Sequence, residues 1–319
     1  MSTVETIRGR VATAELGTTL MHEHVFVMQP EAFLNYAHVW GESYWDEDAR
    51  VADAVEKLRA VRAVGIRTIV DPTAPGLGRN IPRIQRINAE VDLNIVVASG
   101  VYAFLELPNF LHYRAPEAIA ELFVREIREG IDDTGVKAAF LKCAVEAQGL
   151  TPGVERVARA VARTSVETGA PITVHTSSPA QAGRLAVDLF RKEGVDLTKV
   201  VIGHAGDSND IDYLMELADT GATLGMDRFG LDVFNPTENR VATIVALAER
   251  GYADRMVLAH DASCFIDWFG GAHDDVRATM PNWNYLHIGN DVLPALRAAG
   301  VSEGQINQML VDNPRRYFS

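Results

Sequence analysis

Cysteine is nearly absent from this chain: among 319 residues there are only Cys143 and Cys264. That excludes a disulfide framework and fits a reducing compartment. Basic residues are also scarce, 30 Lys and Arg against 43 Asp and Glu, for a formal net charge of −13. Such a surface repels nucleic-acid phosphates and anionic lipid, so neither is an expected partner. No run reaches the roughly 18 apolar residues of a membrane span, and residues 1–10 lack the apolar core of a secretory signal. A cytoplasmic protein without a membrane anchor is the expectation. Also missing are a Gly/Ser/Pro-rich linker, a short-period repeat and a glycine-rich phosphate turn, Gly17 being isolated. The last absence argues against a doubly wound nucleotide-binding sheet. What remains, 47% hydrophobic and 23% charged residues, is enough for a full-sized core.

Eight short apolar, β-branched runs recur along the chain, and each ends in a polar or small residue: Thr19–Val27, Ile66–Pro72, Asn94–Tyr102, Ala138–Val145, Ile172–Thr176, Val200–His204, Ala222–Asp227 and Met256–Asp261. Near-continuous apolarity, as in Asn94-Ile95-Val96-Val97-Ala98, suits parallel strands covered on both faces. Amphipathic helical patterns lie between them, including Asp46–Val64, Ala115–Gly130, Val154–Thr168 and Pro179–Gly194, several of them stopping at glycine. Regular alternation with eight strands predicts an α/β fold, a (β/α)₈ TIM barrel forming a single domain over residues 1–319.

Catalytic groups of such barrels sit at the C-terminal ends of the strands, and metal-binding residue types fall there in this sequence. His22 and His24, two apart on one strand, leave the same face with Cα atoms roughly 6.5 Å apart, close enough to converge on one metal. A lone His-x-His is also compatible with packing or surface histidines. His175 and His204 each close an apolar strand, where either alone reads as a satisfied core histidine. Asp261 follows Val257-Leu258-Ala259-His260 and is expensive to bury unless paired or metal-bound. Taken together, four histidines and an aspartate at the ends of four strands point to a metal centre, whereas the other five histidines, His260 and His273 among them, read as loop or packing residues. Lys142, inside Ala138-Ala139-Phe140-Leu141-Lys142-Cys143, admits three readings: a snorkelling or ion-paired lysine, a Schiff-base nucleophile, or a carbamate able to bridge two metals. Only the third also accounts for the ligands around it.

These motifs resemble the phosphotriesterase family of the amidohydrolase superfamily, and more closely its phosphotriesterase-like lactonases. The resemblance runs from Gly17-Thr18-Thr19-Leu20-Met21-His22-Glu23-His24, through Ala98-Ser99-Gly100-Val101-Tyr102, Ile202-Gly203-His204-Ala205-Gly206-Asp207 and Gly225-Met226-Asp227-Arg228-Phe229-Gly230, to Leu258-Ala259-His260-Asp261-Ala262 and Asn313-Pro314-Arg315-Arg316-Tyr317-Phe318. It implies two divalent metal ions, zinc or cobalt, iron or manganese. His22, His24 and Asp261 would hold the more buried ion, His175 and His204 the more exposed one, and Lys142, as N6-carboxylysine, would bridge them. A hydroxide shared by the pair is a nucleophile at neutral pH. The family is commonly homodimeric.

By the same resemblance Asp261 is the proton acceptor, Tyr102 contacts the hydroxide or the lactone, and Arg228 stands beside the site entrance. Tyr102 could instead pack, and Arg228 could pair with Asp227 or Asp232. Asp207 is expected to fix ligand orientation from behind. The aromatic-rich segment Ser263–Tyr285 after the eighth strand reads either as a helix covering the barrel end or as a cleft-forming loop, with Cys264, Phe265 and Trp268 as acyl-chain contacts. The implied function is a lactonase for N-acyl homoserine lactones and related alkyl lactones, a quorum-quenching activity, with weak organophosphate hydrolysis. Alternatives are a phosphotriesterase proper, a metal-free Schiff-base lyase, and a metal-storing barrel without turnover.

Overall fold

A computed structural model describes residues 2–41 and 44–319. The strands in chain order are β1 (Thr3–Thr6), β2 (Gly9–Ala12), β3 (Thr19–Leu20), β4 (His24–Val27), β5 (Thr68–Asp71), β6 (Asn94–Gly100), β7 (Phe140–Val145), β8 (Ile172–Thr176), β9 (Val200–Gly203), β10 (Thr223–Met226), β11 (Met256–Leu258) and β12 (Ser263–Ile266). Strands β3 and β5 to β11 form one parallel sheet in sequence order. Its ends meet: Met21 N–H donates to Leu258 O at 3.1 Å, and His24 N–H to Ala262 O at 2.8 Å. With helices between successive strands, this is the expected (β/α)₈ barrel.

The helices follow their start and stop signals. Asp46 caps Glu47–Ala63 by accepting from the Asp48 and Ala49 N–H groups. Pro152–Thr168 ends at Gly169, whose φ of +75° is the left-handed conformation of a helix stop. The other two predicted helices are trimmed to Pro116–Arg128 and Ala182–Lys192.

Inside the barrel, Val70, Val96, Phe140, Val201 and Val257 pack with Val4, Leu16, Tyr317 and Phe318. The last four come from the N-terminal segment and the C-terminal tail, and the Tyr317 hydroxyl bonds Thr173 Oγ1 at 2.9 Å. The lower end is thereby filled, and the site must lie at the upper end. The β1–β2 hairpin, antiparallel from Thr3↔Ala12 to Thr6↔Gly9, has too polar an alternation to be recognised in the sequence.

Two predicted strands are broken rather than continuous. Thr19–Val27 leaves the ladder between Leu20 and His24, and Met256–Asp261 stops at Leu258 before the chain resumes as β12, paired with β4. The physical reason is Glu23, whose buried carboxylate accepts the His260 and Ala262 N–H groups in place of ladder partners. Among the described residues no helix is long and apolar enough to cross a membrane.

Candidate metal centre

The strand ends bring the six predicted ligands together. His22 lies in the break between β3 and β4, and His24 opens β4. Lys142 and His175 lie within β7 and β8, His204 just follows β9, and Asp261 lies between β11 and β12. Asp261 Oδ1 is 3.4 Å from His22 Nε2 and 3.2 Å from His24 Nε2. Lys142 Nζ is 3.4 Å from His22 Nε2, His204 Nε2 is 2.9 Å from His175 Nδ1, and Asp261 Oδ2 is 3.9 Å from His204 Nε2. His22 and His24 therefore converge across a broken strand, not along the regular pleat that the sequence suggested.

Each imidazole is turned inward by a partner on its other nitrogen. His22 Nδ1 and His204 Nδ1 donate to the two oxygens of Asp227, each at 2.9 Å, and the His204 N–H adds a bond at 2.8 Å. His24 Nδ1 donates to Thr73 Oγ1 at 2.7 Å, and that hydroxyl donates to Asp71 at 2.5 Å. His175 is the reversed ring: its Nε2 bonds Glu146 at 2.7 Å, leaving Nδ1 to face the cluster. A carboxylate or hydroxyl that takes the outer N–H fixes the tautomer and leaves a lone pair on the inner nitrogen, the arrangement a metal ligand requires. Among the described residues two groups are compact enough to hold an ion, His22/His24/Asp261 and His22/His204/Asp227. The first is the one left open to an ion, because both Asp227 oxygens are already bonded on the outer side of the rings.

Burial sets the ionisation of the cluster. It lowers His22 and His204, takes His175 down to about 4 and brings Lys142 down to about 8. For His24 burial also lowers the pKa, but Asp261 and Asp71 outweigh it and raise the ring to about 9. Burial would raise Asp261, yet His22, His24 and Arg228 hold it well below the usual carboxylate range. Three of the four imidazoles are thus neutral at neutral pH, and part of Lys142 is a free amine.

The remaining predicted residues divide. Tyr102 reaches the cluster, with its hydroxyl 3.3 Å from His175 Nδ1, and burial raises its pKa so that it stays a phenol. Arg228 pairs with neither Asp227 nor Asp232: Nε bonds Asp261 Oδ2 and Nη1 bonds Asp207 Oδ2, both at 3.0 Å. Asp207, expected behind a ligand, instead holds Arg228 and the buried Arg240 (2.6 Å), so it reaches Asp261 through one intermediary. Cys264 and Phe265 are corrections. Cys264 Sγ lies 3.3 Å from the Tyr285 hydroxyl, and Phe265 packs on Phe26 and Trp45 beneath the Arg50 guanidinium. The segment that carries them is strand β12, whose pairing with β4 turns both into the protein interior.

Trp268 does line the cleft, a cavity of about 330 Å³ above the cluster. Leu231, Val233 and Phe234 form one wall, and Ile266, Phe269, Met280 and Trp283 complete another. Sequence reasoning missed Asp71, Thr73, Glu146 and Asp227 as ring anchors. A signal existed for two of them, since Asp71 and Asp227 are carboxylates closing apolar strands, as Asp261 does. His260, read as a packing residue, is buried with its Nδ1 2.6 Å from Glu23. The side chain of His273 lies outside the described set.

The comparisons agree with this geometry. The model of the phosphotriesterase family matches residues 2–318. A phosphotriesterase homology protein of Mycobacterium tuberculosis is 52% identical over 325 residues, covering 100% of this chain and 98% of the relative. An aryldialkylphosphatase of Saccharolobus solfataricus is 36% identical over 310 residues, covering 97% of each. A solved structure described as the phosphotriesterase from Mycobacterium tuberculosis superposes with a TM-score of 0.95 over 99% of this chain and 98% of that one. The chain belongs to the phosphotriesterase family of hydrolases.

Proposed function

We propose that this hydrolase opens lactones, N-acyl homoserine lactones and related alkyl lactones among them, in the manner of a quorum-quenching enzyme, with weak organophosphate hydrolysis on the side. The observation that carries the reading is the cleft: apolar walls on two sides stand over a polar floor, which suits a substrate with one hydrolysable head and one alkyl tail.

His22, His24 and Asp261 would hold one divalent ion and His175 and His204 a second, zinc being the first candidate. Lys142, whose free amine can add carbon dioxide with release of a proton, would supply the bridging carbamate. When bound, such a pair supplies a nucleophile at neutral pH and a Lewis acid for the ester oxygen. Tyr102, held as a phenol, donates a hydrogen bond to a substrate oxygen beside His175. Asp261 presents Oδ1 to His22 and His24 and Oδ2 to Arg228, and Oδ2 takes the proton released on attack and returns it to the leaving alkoxide. Arg228, itself braced by Asp207, holds that oxygen in place. Scarce cysteine and an acidic surface support a cytoplasmic setting.

The 36% identity to an aryldialkylphosphatase favours a second reading, an enzyme acting mainly on phosphotriesters. Metal analysis combined with turnover of a lactone panel and of paraoxon decides between them. Two metal ions per chain and faster turnover of at least one lactone support the proposal, whereas paraoxon hydrolysed faster than every lactone transfers the assignment to the phosphotriesterase.

A further inference from the structure

Asp261 stands at φ +54°, a left-handed conformation that a residue with a side chain keeps only where its surroundings hold it. The surroundings here are hydrogen bonds to the backbone on every side. Its own N–H donates to His22 O at 3.0 Å. Glu23 brackets both neighbours, Oε1 accepting the His260 N–H at 2.8 Å and Oε2 the Ala262 N–H at 3.0 Å. Glu23 also takes the His260 ring at Nδ1, while the Ile288 N–H donates to Nε2, so this buried carboxylate is met by donors alone. The last bond comes from the cleft. The indole N–H of Trp283 donates to Asp261 O at 3.0 Å.

That bond ties the wall of the cleft to the floor. Trp283 lines the cavity, is buried, and carries the Arg277 guanidinium over its ring at 4.8 Å. Its backbone is pressed onto Gly230 in the segment after β10: a Cβ at Gly230, whose φ is +89°, would lie 2.0 Å from Asn282 O and 2.7 Å from Trp283 N. Asn282 also donates to Asp232 Oδ2 at 3.1 Å. The segments after β10 and β12 are therefore locked together where Trp283 reaches Asp261.

We infer that Trp283 is a positioning residue for Asp261 as well as a wall of the cleft. It holds the Asp261 carbonyl, while Glu23 holds the N–H groups of the residues before and after it, and so fixes where the carboxylate oxygens stand. A contact that displaces the wall is transmitted to the proton acceptor through one hydrogen bond. The inference rests on Asp261 being a ligand and proton acceptor, not on the substrate being a lactone.

The test separates wall from anchor. Trp283→Phe keeps a ring in the cleft and removes the N–H. Cobalt(II) titrated into the metal-free variant should show an altered visible spectrum and weaker binding, about two- to tenfold for one lost hydrogen bond. Where lactones are turned over, kcat should fall by a similar factor for short and long acyl chains alike. An unchanged cobalt spectrum and affinity, with only KM or the dependence on chain length altered, would make Trp283 a wall alone and overturn the inference. If the Phe variant does not fold, replacement of Trp283 by benzothienylalanine keeps the bicyclic shape and exchanges N–H for sulfur. The same spectral change is then expected, and its absence is decisive against the proposal. If the parent enzyme turns over no lactone, the cobalt titration still decides this point, so its outcome is independent of the substrate assignment.

Discussion

The floor and the walls of the cleft are built on different physics. On the floor, every imidazole carries a partner on its outer nitrogen, and those partners are themselves bonded, as Thr73 is to Asp71 and Asp227 to the His204 N–H. On the walls, Leu231, Ile266, Phe269 and Met280 present hydrocarbon or aromatic surface, and Val233, Phe234 and Trp268 are 74%, 59% and 48% exposed. Directional bonds specify the position of a ligand atom, whereas burial of apolar area is non-directional and tolerates exchange. The difference teaches that the chemistry of this barrel is fixed by its hydrogen bonds and that its substrate range is open to change at the walls.

The largest effect should follow from breaking the floor at the point its two halves share. Asp227 holds His22 on one side and His204 on the other. Asp227→Ala should lower metal affinity or activity by at least about 100-fold, the upper end of the range for a single outer partner. Thr73→Val, which frees only His24, should cost closer to about tenfold. Elemental analysis after dialysis, with Tm as the control for folding, checks both. Equal losses in the two variants would contradict the shared-anchor account.

The same contrast explains what was legible in the sequence. Strands and the residues that cluster at their ends were readable because an apolar β-branched run ending in His, Lys or Asp is a local pattern, and β8 matches its predicted bounds at Ile172–Thr176. Which ring each anchor serves was not, because Asp227 and His22 are 205 positions apart and only the closed barrel brings them together. The breaks beside Glu23 were hidden for a similar reason, since a carboxylate that replaces ladder bonds across the first and last strands has no local signature. The walls were legible in composition but not in direction. Trp268 lines the cleft, while Cys264 and Phe265, a few residues before it, turn inward because β12 pairs with β4.

An intermediate effect should appear in the pH dependence of the metal-free protein, and it should come from the floor. Unfolded histidine takes up a proton near 6.5, but folded His175 does so only at about 4. Between those values the unfolded state binds more protons at this site, so the contribution of His175 to stability is full above 6.5 and declines as the pH falls through the window. His22 and His204, also lowered by burial, act in the same direction. His24, raised to about 9, acts the other way: its contribution is complete well below 6.5 and is lost as the pH rises through 9, so it opposes the decline only near the top of this window. Denaturant titrations of chelator-treated protein should show this decline, and His175→Asn should make it shallower. A His175→Asn profile as steep as the parent's would remove His175 from the account.

The smallest effect belongs to the walls. An alkyl chain lying along Trp268, Phe269 and Met280 gains up to about 0.8 kcal/mol for each buried CH₂. At 1.36 kcal/mol per decade this is at most roughly fourfold in kcat/KM per methylene. The rise should run from short to medium acyl chains and level off when the cavity of about 330 Å³ is full. Trp268→Ala removes a large ring from the wall and should flatten that slope while leaving the shortest lactone close to the parent rate. Phe265→Ala, beneath the Arg50 guanidinium and turned into the interior, should instead lower Tm by core truncation and leave the slope as it was. The pair therefore reads the two regions separately. A slope lost in the Phe265 variant but kept in the Trp268 variant would reverse the placement of the wall, and a parent enzyme indifferent to chain length would detach the cleft from substrate choice altogether.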